Sequence, residues 1–447
     1  MDASERLAAG RRTYELDRAH VFHSWSAQAS LDPMVIAEAE GCYVTDDHSR
    51  RYLDFSSQLV NTNIGHQHPK VVEAIAAQAH RLCTIAPQYA NDQRSLAAAK
   101  ITERTPVGLD QVFFTNAGAE AIEHAVRMAR LHTGRPKVLS AYRSYHGGTS
   151  TAINLTGDPR RWPNDQGTAG VVHFFGPFLY RTAFSATTEA EECARALEHL
   201  RQVITFEGPG TIAAIVLESI PGTAGIMVPP PGYLAGVRAL CDEFGICYIA
   251  DEVMCGFGRT GRWFGFEHGQ VVPDLITFAK GVNSGYVPLG GVVLSAEIAA
   301  TFADRPYPGG LTYSGHPLAC AAAVATIDAM AEEGMIDHAA DLGATVFGPE
   351  LAAMAERQEL IGEVRGVGCF WAIELVADRE TKEPLAPYGG TSPAMNQLVA
   401  ACKARGLLPF TNYHRVHVVP PLIITADEAR TGLQILEDAL AEVAASR

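Results

Sequence analysis

Short apolar runs alternate with helical patterns through the middle of the chain. The runs lie at 111–115, 137–142, 212–218, 246–251, 275–279 and 290–295. Between several of them lie amphipathic stretches such as 119–132, where Ile122 and Val126 share one helical face and Gly134 provides a stop. Strands that are apolar on both faces and separated by helices predict a parallel or mostly parallel α/β sheet.

The two ends of the chain have different patterns. Residues 41–55 alternate around a polar turn, which predicts a hairpin. Beyond about residue 330 the pattern is helical, with further strands predicted at 367–376 and 415–419. We therefore expect both ends to build a smaller α+β domain beside a central α/β domain. The predicted division is 1–69 (N-terminal part of the small domain), 70–328 (large domain) and 329–447 (C-terminal part of the small domain).

Composition narrows the class of protein. The chain has 447 residues, 47% of them hydrophobic, and a net charge of -15, which argues against nucleic acid or an anionic membrane as partner. The segment "MDASERLAAGRR" lacks the apolar core of a secretory signal, and nine scattered cysteines fit free thiols in the cytoplasm. His66 and His68 offer too few ligands for a metal, so we expect no metal site.

Candidate chemistry appears where the predicted strands end, which is where ligands bind in open α/β sheets. The first strand leads into "NAGAE", beginning at Asn116, at the start of a helix that can bind an anion such as phosphate. An ordinary capped helix start is the alternative. The second strand leads into "RSYHGG", with Tyr145 and His146 beside two glycines. This places an aromatic ring near a closely approachable backbone, or simply a packed tyrosine in a turn.

Three ionisable residues end the next strands. Glu218 and Asp251 close apolar runs, and a partly desolvated carboxylate needs a cationic or hydrogen-bonding partner. Lys280 closes another run, in a chain with only six lysines. Burial lowers the pKa of a lysine, and a neutral amine forms Schiff bases with carbonyl groups. The alternative is a lysine that extends its charged end into water.

These features together match the needs of one cofactor. Pyridoxal phosphate has an aldehyde for a lysine, a ring nitrogen for an aspartate, a π-face for an aromatic ring and a phosphate for a helix end. The stretch "GFGRTG" (256–261) matches the dinucleotide pattern G-x-G-x-x-G, but no helix pattern follows it. A nicotinamide-dependent oxidoreductase is therefore the weaker interpretation.

The sequence also resembles a known family. "FFTNAGAEA", "SYHGG", "ADEVMCGFGRTG", "TFAKG" and "LTYSGHPLA" resemble, in order, the motifs of class III pyridoxal-phosphate aminotransferases, and the likeness runs from about 20 to 440. The branch is similar to the ω-aminotransferases. The resemblance implies a fold type I transferase with a mostly parallel seven-stranded sheet. It also implies a homodimer, possibly a tetramer, with active sites at the subunit interface.

The resemblance assigns roles to individual residues. Lys280 would hold the cofactor as a Schiff base and later carry a proton, and Asp251 would pair with the ring nitrogen. Tyr145 and Val253 would cover the two ring faces. The full cofactor-binding set is Asn116, Gly118, Ala119, Tyr145, His146, Glu218, Asp251, Val253, Lys280 and Thr312 of the partner subunit. Relatives often have hydroxyl residues at 117 and 119, where this chain has alanine. Backbone N–H groups would still bind the phosphate there.

The resemblance also bears on the substrates. Arg415 would bind the substrate carboxylate, since a guanidinium suits a carboxylate or sulfonate; a surface arginine is the alternative. Val60 replaces a bulky aromatic residue near the pocket mouth, and Gln88 and Tyr89 would line the entry. We expect a ping-pong transfer from an amine or ω-amino acid, such as taurine or β-alanine, to a keto acid, with pyruvate as acceptor.

Three alternatives remain at this point. The same lysine and aspartate serve other pyridoxal-phosphate chemistry, such as aminomutase, racemase or decarboxylase reactions. A nicotinamide oxidoreductase would leave Lys280 unexplained. A non-catalytic relative would be expected to lack Lys280 or Asp251, and both are present.

Overall fold

The computed structural model describes residues 3–165, 167 and 169–447. Its strands are β1 (Ile36–Glu40), β2 (Tyr43–Asp46), β3 (Arg51–Asp54), β4 (Leu109–Thr115), β5 (Lys137–Ala141), β6 (Val171–Phe174), β7 (Ile212–Glu218), β8 (Cys247–Asp251), β9 (Leu275–Phe278), β10 (Gly290–Ser295), β11 (Ile361–Val367), β12 (Phe370–Asp378), β13 (Glu383–Pro384), β14 (Leu407–Leu408), β15 (Phe410–Asn412) and β16 (Arg415–Val418).

The helices alternate with the strands in the central part of the chain and dominate towards its C-terminal end. They are α1 (Ala3–His20), α2 (Ser57–Val60), α3 (Pro69–Arg81), α4 (Asp92–Thr102), α5 (Gly118–Thr133), α6 (Ser150–Leu155), α7 (Glu189–Glu207), α8 (Tyr233–Phe244), α9 (Ala296–Ala300), α10 (Pro317–Glu332), α11 (Met335–Leu342), α12 (Gly348–Arg357), α13 (Pro393–Ala404) and α14 (Ala426–Ala445).

The central sheet has seven strands in the order β4-β10-β9-β8-β7-β5-β6. Strands β6, β5, β7, β8 and β9 pair in parallel with one another, and β10 is antiparallel to both β9 and β4. All seven residues of β7 are buried, as expected for a strand covered on both faces. The prediction of a mostly parallel α/β sheet is therefore confirmed.

Helix α5 shows how the sequence pattern produces this packing. It covers the predicted segment 119–132, and its apolar face, including Ile122 and Val126, is buried in a cluster with Val216 and Ile249 of the sheet. The helix ends at Gly134, whose φ of 69° is a left-handed conformation that glycine adopts without strain. The other end of α5, at Gly118, follows the carboxyl end of β4 and therefore lies at the carboxyl edge of the sheet.

The strand register brings candidate residues together at that edge. In the parallel pairing of β7 with β8, Glu218 lies opposite Asp251, and in β8 with β9, Asp251 lies opposite Thr277. Lys280 follows β9 after one intervening residue and begins a short 3₁₀ turn, Lys280–Val282. The three ionisable strand ends therefore share one edge of the sheet.

Two smaller sheets lie outside the central one, and the first combines residues from both ends of the chain. One has the order β1-β2-β3-β14, and β14 pairs in parallel with β3, so that Leu407 lies opposite Leu53. The other has the order β11-β12-β16-β15. The predicted hairpin in 41–55 is the β2–β3 pair. The division into 1–69, 70–328 and 329–447 stays a prediction.

Some strand limits differ from the sequence expectation. The strand predicted at 367–376 begins at Phe370, and the preceding strand β11 was not predicted, because Glu363 and Arg365 interrupt its apolar pattern. No helix in the described part of the chain is both long enough and apolar enough to cross a membrane.

Candidate active site

A buried hydrogen-bonded chain leads to the carboxylate at the end of β8. Nδ1 of His146 donates to Oδ2 of Asp251 over 2.7 Å, and the other ring nitrogen of His146 lies 3.1 Å from the Ser140 hydroxyl. Oδ1 of Asp251 accepts from the backbone N–H of Val253 and from the hydroxyl of Thr277. Because both oxygens are engaged, the orientation of Asp251 is fixed.

The surrounding charges favour a positive imidazole. Burial by itself would lower the pKa of His146, but its hydrogen bond to Asp251 and the nearby charge of Glu218 raise this pKa above the ordinary value. Burial raises the pKa of Glu218, whose two oxygens accept from the backbone N–H groups of Tyr145 and Gly222. Glu218 therefore anchors the loop that carries Tyr145 and His146.

Lys280 combines an unusual backbone with an unpaired amine. Its φ is 43°, a left-handed value that is uncommon for a residue other than glycine and frequent at functional sites. Among the described residues, no carboxylate lies within ion-pair distance of its amine. Burial lowers the pKa of Lys280, against the opposing influence of Asp251 and Glu218. Its amine is therefore neutral at a lower pH than an ordinary lysine amine.

The start of α5 has the features of an anion site. Its N-cap, Ala117, makes no side-chain hydrogen bond to the helix, and the Glu120 carboxylate bonds back to the N–H of Asn116. Within the described chain, the N–H groups of Gly118 and Ala119 have no acceptor. Unpaired N–H groups at a helix N-terminus favour an anion such as phosphate.

Two loops approach this helix start so closely that only glycine fits at two positions. A Cβ on Gly118 would lie 2.9 Å from both methyl groups of Val253, and one on Gly147 would lie 2.5 Å from Cβ of Ala119. The loop after β8 and the loop after β5 therefore converge on the start of α5. The arrangement of amine, carboxylate and free N–H groups fits pyridoxal phosphate.

The ring of Tyr145 is covered by an arginine. The guanidinium carbon of Arg160 lies 3.7 Å from the Tyr145 ring centre, and its Nε bonds to both oxygens of Asp158, the shorter contact being 2.9 Å. This stacking leaves Tyr145 half-buried and fixes its plane.

Arg415 and Val60 are both buried. Arg415, at the start of β16, is 5% exposed and donates to the carbonyl oxygens of Ala224 and Asn412. The alternative of a surface arginine is therefore wrong. Val60 is 1% exposed, and its φ of 57° is strained for a β-branched residue. Its side chain packs in an apolar cluster with Ile220 and Phe370.

Three further candidates lie on the surface. Gln88, Tyr89 and Thr312 are exposed, in two separate loops. Arg94 connects these loops, since its guanidinium donates to the carbonyl oxygens of Pro87, Tyr89 and Gly315.

Several residues around the site were not found from the sequence. Ser140 and Thr277 occupy ordinary strand positions, and no local pattern distinguishes them from other polar residues in a sheet. Glu252 is fully buried and accepts from the Ser219 hydroxyl and the N–H groups of Gly265 and Phe266. Its position after an apolar strand, next to Asp251, is a signal that could have identified it.

Comparison with known proteins agrees with this geometry. The family model described as Aminotransferase class-III matches residues 25–440. Taurine--pyruvate aminotransferase of Rhodobacter capsulatus is 37% identical over 88% of this chain and 87% of its own length. The structure of taurine:2-oxoglutarate aminotransferase from Bifidobacterium kashiwanohense, in complex with pyridoxal phosphate and glutamate, is 42% identical, with a TM-score of 0.94 over 97% of this chain and 98% of that one. An (S)-enantioselective omega-transaminase from Thermomicrobium roseum is 36% identical, with a TM-score of 0.90 over the same shares.

The sheet and its strand-end residues define a pyridoxal-phosphate-dependent transferase of fold type I. The chain belongs to the class-III aminotransferases. It uses pyridoxal phosphate to transfer an amino group from an amine donor to a keto acid. The segment "GFGRTG" is followed by turns and a 3₁₀ helix, Gly265–Gly269, rather than the α-helix that a dinucleotide site requires.

Proposed function

We propose that the donor is a small amine carrying an acid group, of the taurine or β-alanine class, and that the acceptor is pyruvate. The observation that carries the donor class is Arg415: its guanidinium is buried, and no carboxylate of the described chain lies within ion-pair distance. A buried cation without a carboxylate partner favours an anionic ligand.

The names of two similar proteins support taurine as the donor but give two different acceptors. Taurine is the donor named for both, whereas one uses pyruvate and the other 2-oxoglutarate. 2-Oxoglutarate is therefore the second candidate acceptor, favoured by the 42% identity to the enzyme named for it.

We assign the chemistry to side chains at the sheet edge. When bound, pyridoxal phosphate supplies an electron sink for the carbon that bears the transferred amine. Lys280 holds the cofactor and, once released, moves the proton at that carbon. Asp251, oriented by His146, keeps the ring nitrogen protonated. The N–H groups of Gly118 and Ala119 bind the phosphate.

The remaining contacts complete this assignment. Asn116 and Glu218 position the segments on either side of the cofactor, and Tyr145 and Val253 cover its two ring faces. Val60 shapes the substrate side through the apolar cluster beneath it.

We infer a homodimer in which each subunit completes the other's site. Gln88, Tyr89 and Thr312 are exposed in the single chain, and Arg94 holds their loops together. Such loops match a surface that a second subunit covers. A tetramer would need a further interface. A cytoplasmic location remains our prediction, and all nine cysteines, each in the described part of the chain, are free thiols.

A matrix of donors and acceptors tests the proposed function. Taurine, β-alanine, a diamine and an aryl amine are each paired with pyruvate and with 2-oxoglutarate, and the amino acid product is quantified. We expect the acid-bearing donors with pyruvate to give the highest kcat/KM. A preference for aryl amines would contradict the proposed donor class, and a preference for 2-oxoglutarate would replace the acceptor.

A further inference from the structure

A cavity lies where the loop after β5 meets the strands β12 and β16. Its volume is about 350 Å³, and Arg143, Arg181, Glu374, Tyr388, His414 and Arg415 are part of its lining. Arg143 precedes Tyr145 by two residues, so the cavity adjoins the loop that carries the aromatic ring of the active site.

The guanidinium of Arg143, in this cavity, has no polar partner among the described residues. Its backbone is left-handed, with a φ of 62°, and is held by a hydrogen bond from its N–H to the carbonyl oxygen of Gly157. The guanidinium lies over the Phe178 ring, 5.2 Å from its centre. It makes no hydrogen bond and no ion pair with any described residue. Burial lowers the pKa of Arg143, which reflects the cost of this unpaired charge.

The only carboxylate among the named lining residues is already engaged. Glu374 accepts from Arg181, Arg365 and His414 and is 1% exposed. These contacts hold the pKa of Glu374 far below its usual value, although burial alone would raise it. Glu374 therefore already has three partners, and it forms no ion pair with Arg143 or Arg415.

A further donor in the same cavity is unsatisfied. Nη2 of Arg181 is buried without a hydrogen-bond partner among the described residues. Arg415 donates only to two backbone carbonyl groups. The cavity thus has an excess of positive charge and of donors, in a chain whose net charge is -15.

We propose that this cavity binds the acid group of the substrate, a carboxylate or a sulfonate, and that Arg143 is a second specificity-determining arginine beside Arg415. The proposal rests on the proposed function, because it takes the substrate to be anionic. Two guanidiniums can each offer a pair of donors to the oxygens of one acid group. Arg143 thereby selects acid-bearing donors over plain amines.

Binding of ethanesulfonate to the holoenzyme tests the proposal without turnover. This probe has the sulfonate of taurine but no amine. Its Kd is measured by calorimetry for the wild type, Arg143→Gln and Arg143→Lys, with propan-1-ol as the uncharged probe. We expect Arg143→Gln to weaken ethanesulfonate binding at least about tenfold, as for the loss of a charged hydrogen bond, and Arg143→Lys to restore part of it. Arg201→Gln removes an exposed arginine paired with Glu243 and should change nothing.

Kinetics with matched donors give the second readout. In Arg143→Gln we expect KM for taurine to rise at least about tenfold, while KM for propylamine stays within about twofold. Ethanesulfonate should compete with taurine. Thermal unfolding of each variant shows whether the fold is retained, and Arg143→Lys keeps the test valid if Arg143→Gln does not fold.

Failure of this inference and failure of the proposed function give different results. If the wild type prefers taurine but Arg143→Gln and Arg143→Lys both keep its ethanesulfonate affinity, the role of Arg143 is wrong. Ethanesulfonate that binds without competing with taurine would also overturn it. If the wild type itself prefers propylamine to taurine, the proposed function fails, and the substrate subsite fails with it.

Discussion

Nδ1 of His146 and Oδ2 of Asp251 are joined by a hydrogen bond of 2.7 Å, between two side chains that are almost completely buried. The loop after β5 is thereby tied to the end of β8. A carboxylate in such a place is costly unless it is paired and hydrogen-bonded. His146 supplies a hydrogen bond, and its raised pKa favours the protonated imidazole.

Asp251→Asn tests the role of this carboxylate. The amide has the same shape but no charge, so it cannot stabilise a protonated ring nitrogen of the cofactor. We expect kcat to fall at least about 100-fold, within the range for loss of a charged hydrogen bond. The absorbance spectrum of the bound cofactor should also change. Asp242→Asn, at an exposed aspartate, is the control. A variant with wild-type kcat would remove Asp251 from the mechanism.

Lys280→Ala tests the covalent attachment. Borohydride reduction of the wild-type holoenzyme should add the mass of the reduced cofactor to the peptide containing Lys280. The variant should lack this adduct, whereas Lys70→Ala, which removes an exposed lysine, should keep it. Because burial lowers the pKa of Lys280, the apoprotein should react with the aldehyde at a lower pH than free lysine does. An adduct on another lysine would contradict the assignment.

The sequence alone was sufficient to predict that the ionisable residues ending the buried strands meet at one edge of the sheet. Glu218, Asp251 and Lys280 each follow an apolar run, and parallel strands necessarily bring their carboxyl ends to one edge. Residues whose roles depend on contacts between distant segments could not be predicted. Arg143 and Glu374 lie more than 200 positions apart, and no local pattern shows that one is unpaired because the other is already engaged.

The same limit applies to backbone conformation. Ser57, Gln58 and Val60 all have positive φ, although none of these residue types favours it, so the tertiary contacts must hold the turn. Strand β11 was missed for a related reason. Its charged residues Glu363 and Arg365 pair with each other, and Arg365 also pairs with Glu374. Pairing makes the charges compatible with a partly buried strand, which an apolar pattern cannot indicate.

Glu252→Gln should change how stability depends on pH. Burial raises the pKa of Glu252 from an ordinary 4.5 to about 7 in the folded chain. Folding therefore favours the protonated form. The stabilisation is present below about pH 4.5 and is lost as the pH rises through about 7. Across this window the wild type should lose about 1–3 kcal/mol of unfolding free energy relative to Glu252→Gln. Urea denaturation of both proteins at several pH values measures the difference. If the unfolding free energies of the two proteins changed in parallel with pH, the raised pKa of Glu252 would be contradicted.

Arg259→Met should destabilise the fold, because Arg259 bonds to Ser57 in the turn with positive φ values. The Arg259 guanidinium is fully buried and donates to the Cys369 and Pro420 carbonyl groups and to the Ser57 and Asn63 side chains. Its removal leaves these acceptors unpaired, and we expect a loss of about 3 kcal/mol in the free energy of unfolding.

The same stretch of chain offers a matched control for this substitution. Arg262 lies three residues further on and is exposed, so Arg262→Met should have little effect. Denaturant unfolding compares the two variants. Equal stability would show that the buried guanidinium contributes nothing net to the fold.

A mixed dimer tests whether Thr312 acts on the neighbouring site. One subunit carries Lys280→Ala and the other Thr312→Trp, whose bulk should block phosphate binding if Thr312 lies at the neighbouring site. If Thr312 acts across the interface, the site with intact Lys280 receives the intact Thr312 of the other chain, and the mixed dimer should keep about half of the wild-type activity. Each homodimer should be inactive. If Thr312 acts within its own chain, both sites of the mixed dimer are damaged and no activity returns. Two different affinity tags isolate the mixed dimer, and a wild-type dimer with the same tags gives the reference activity.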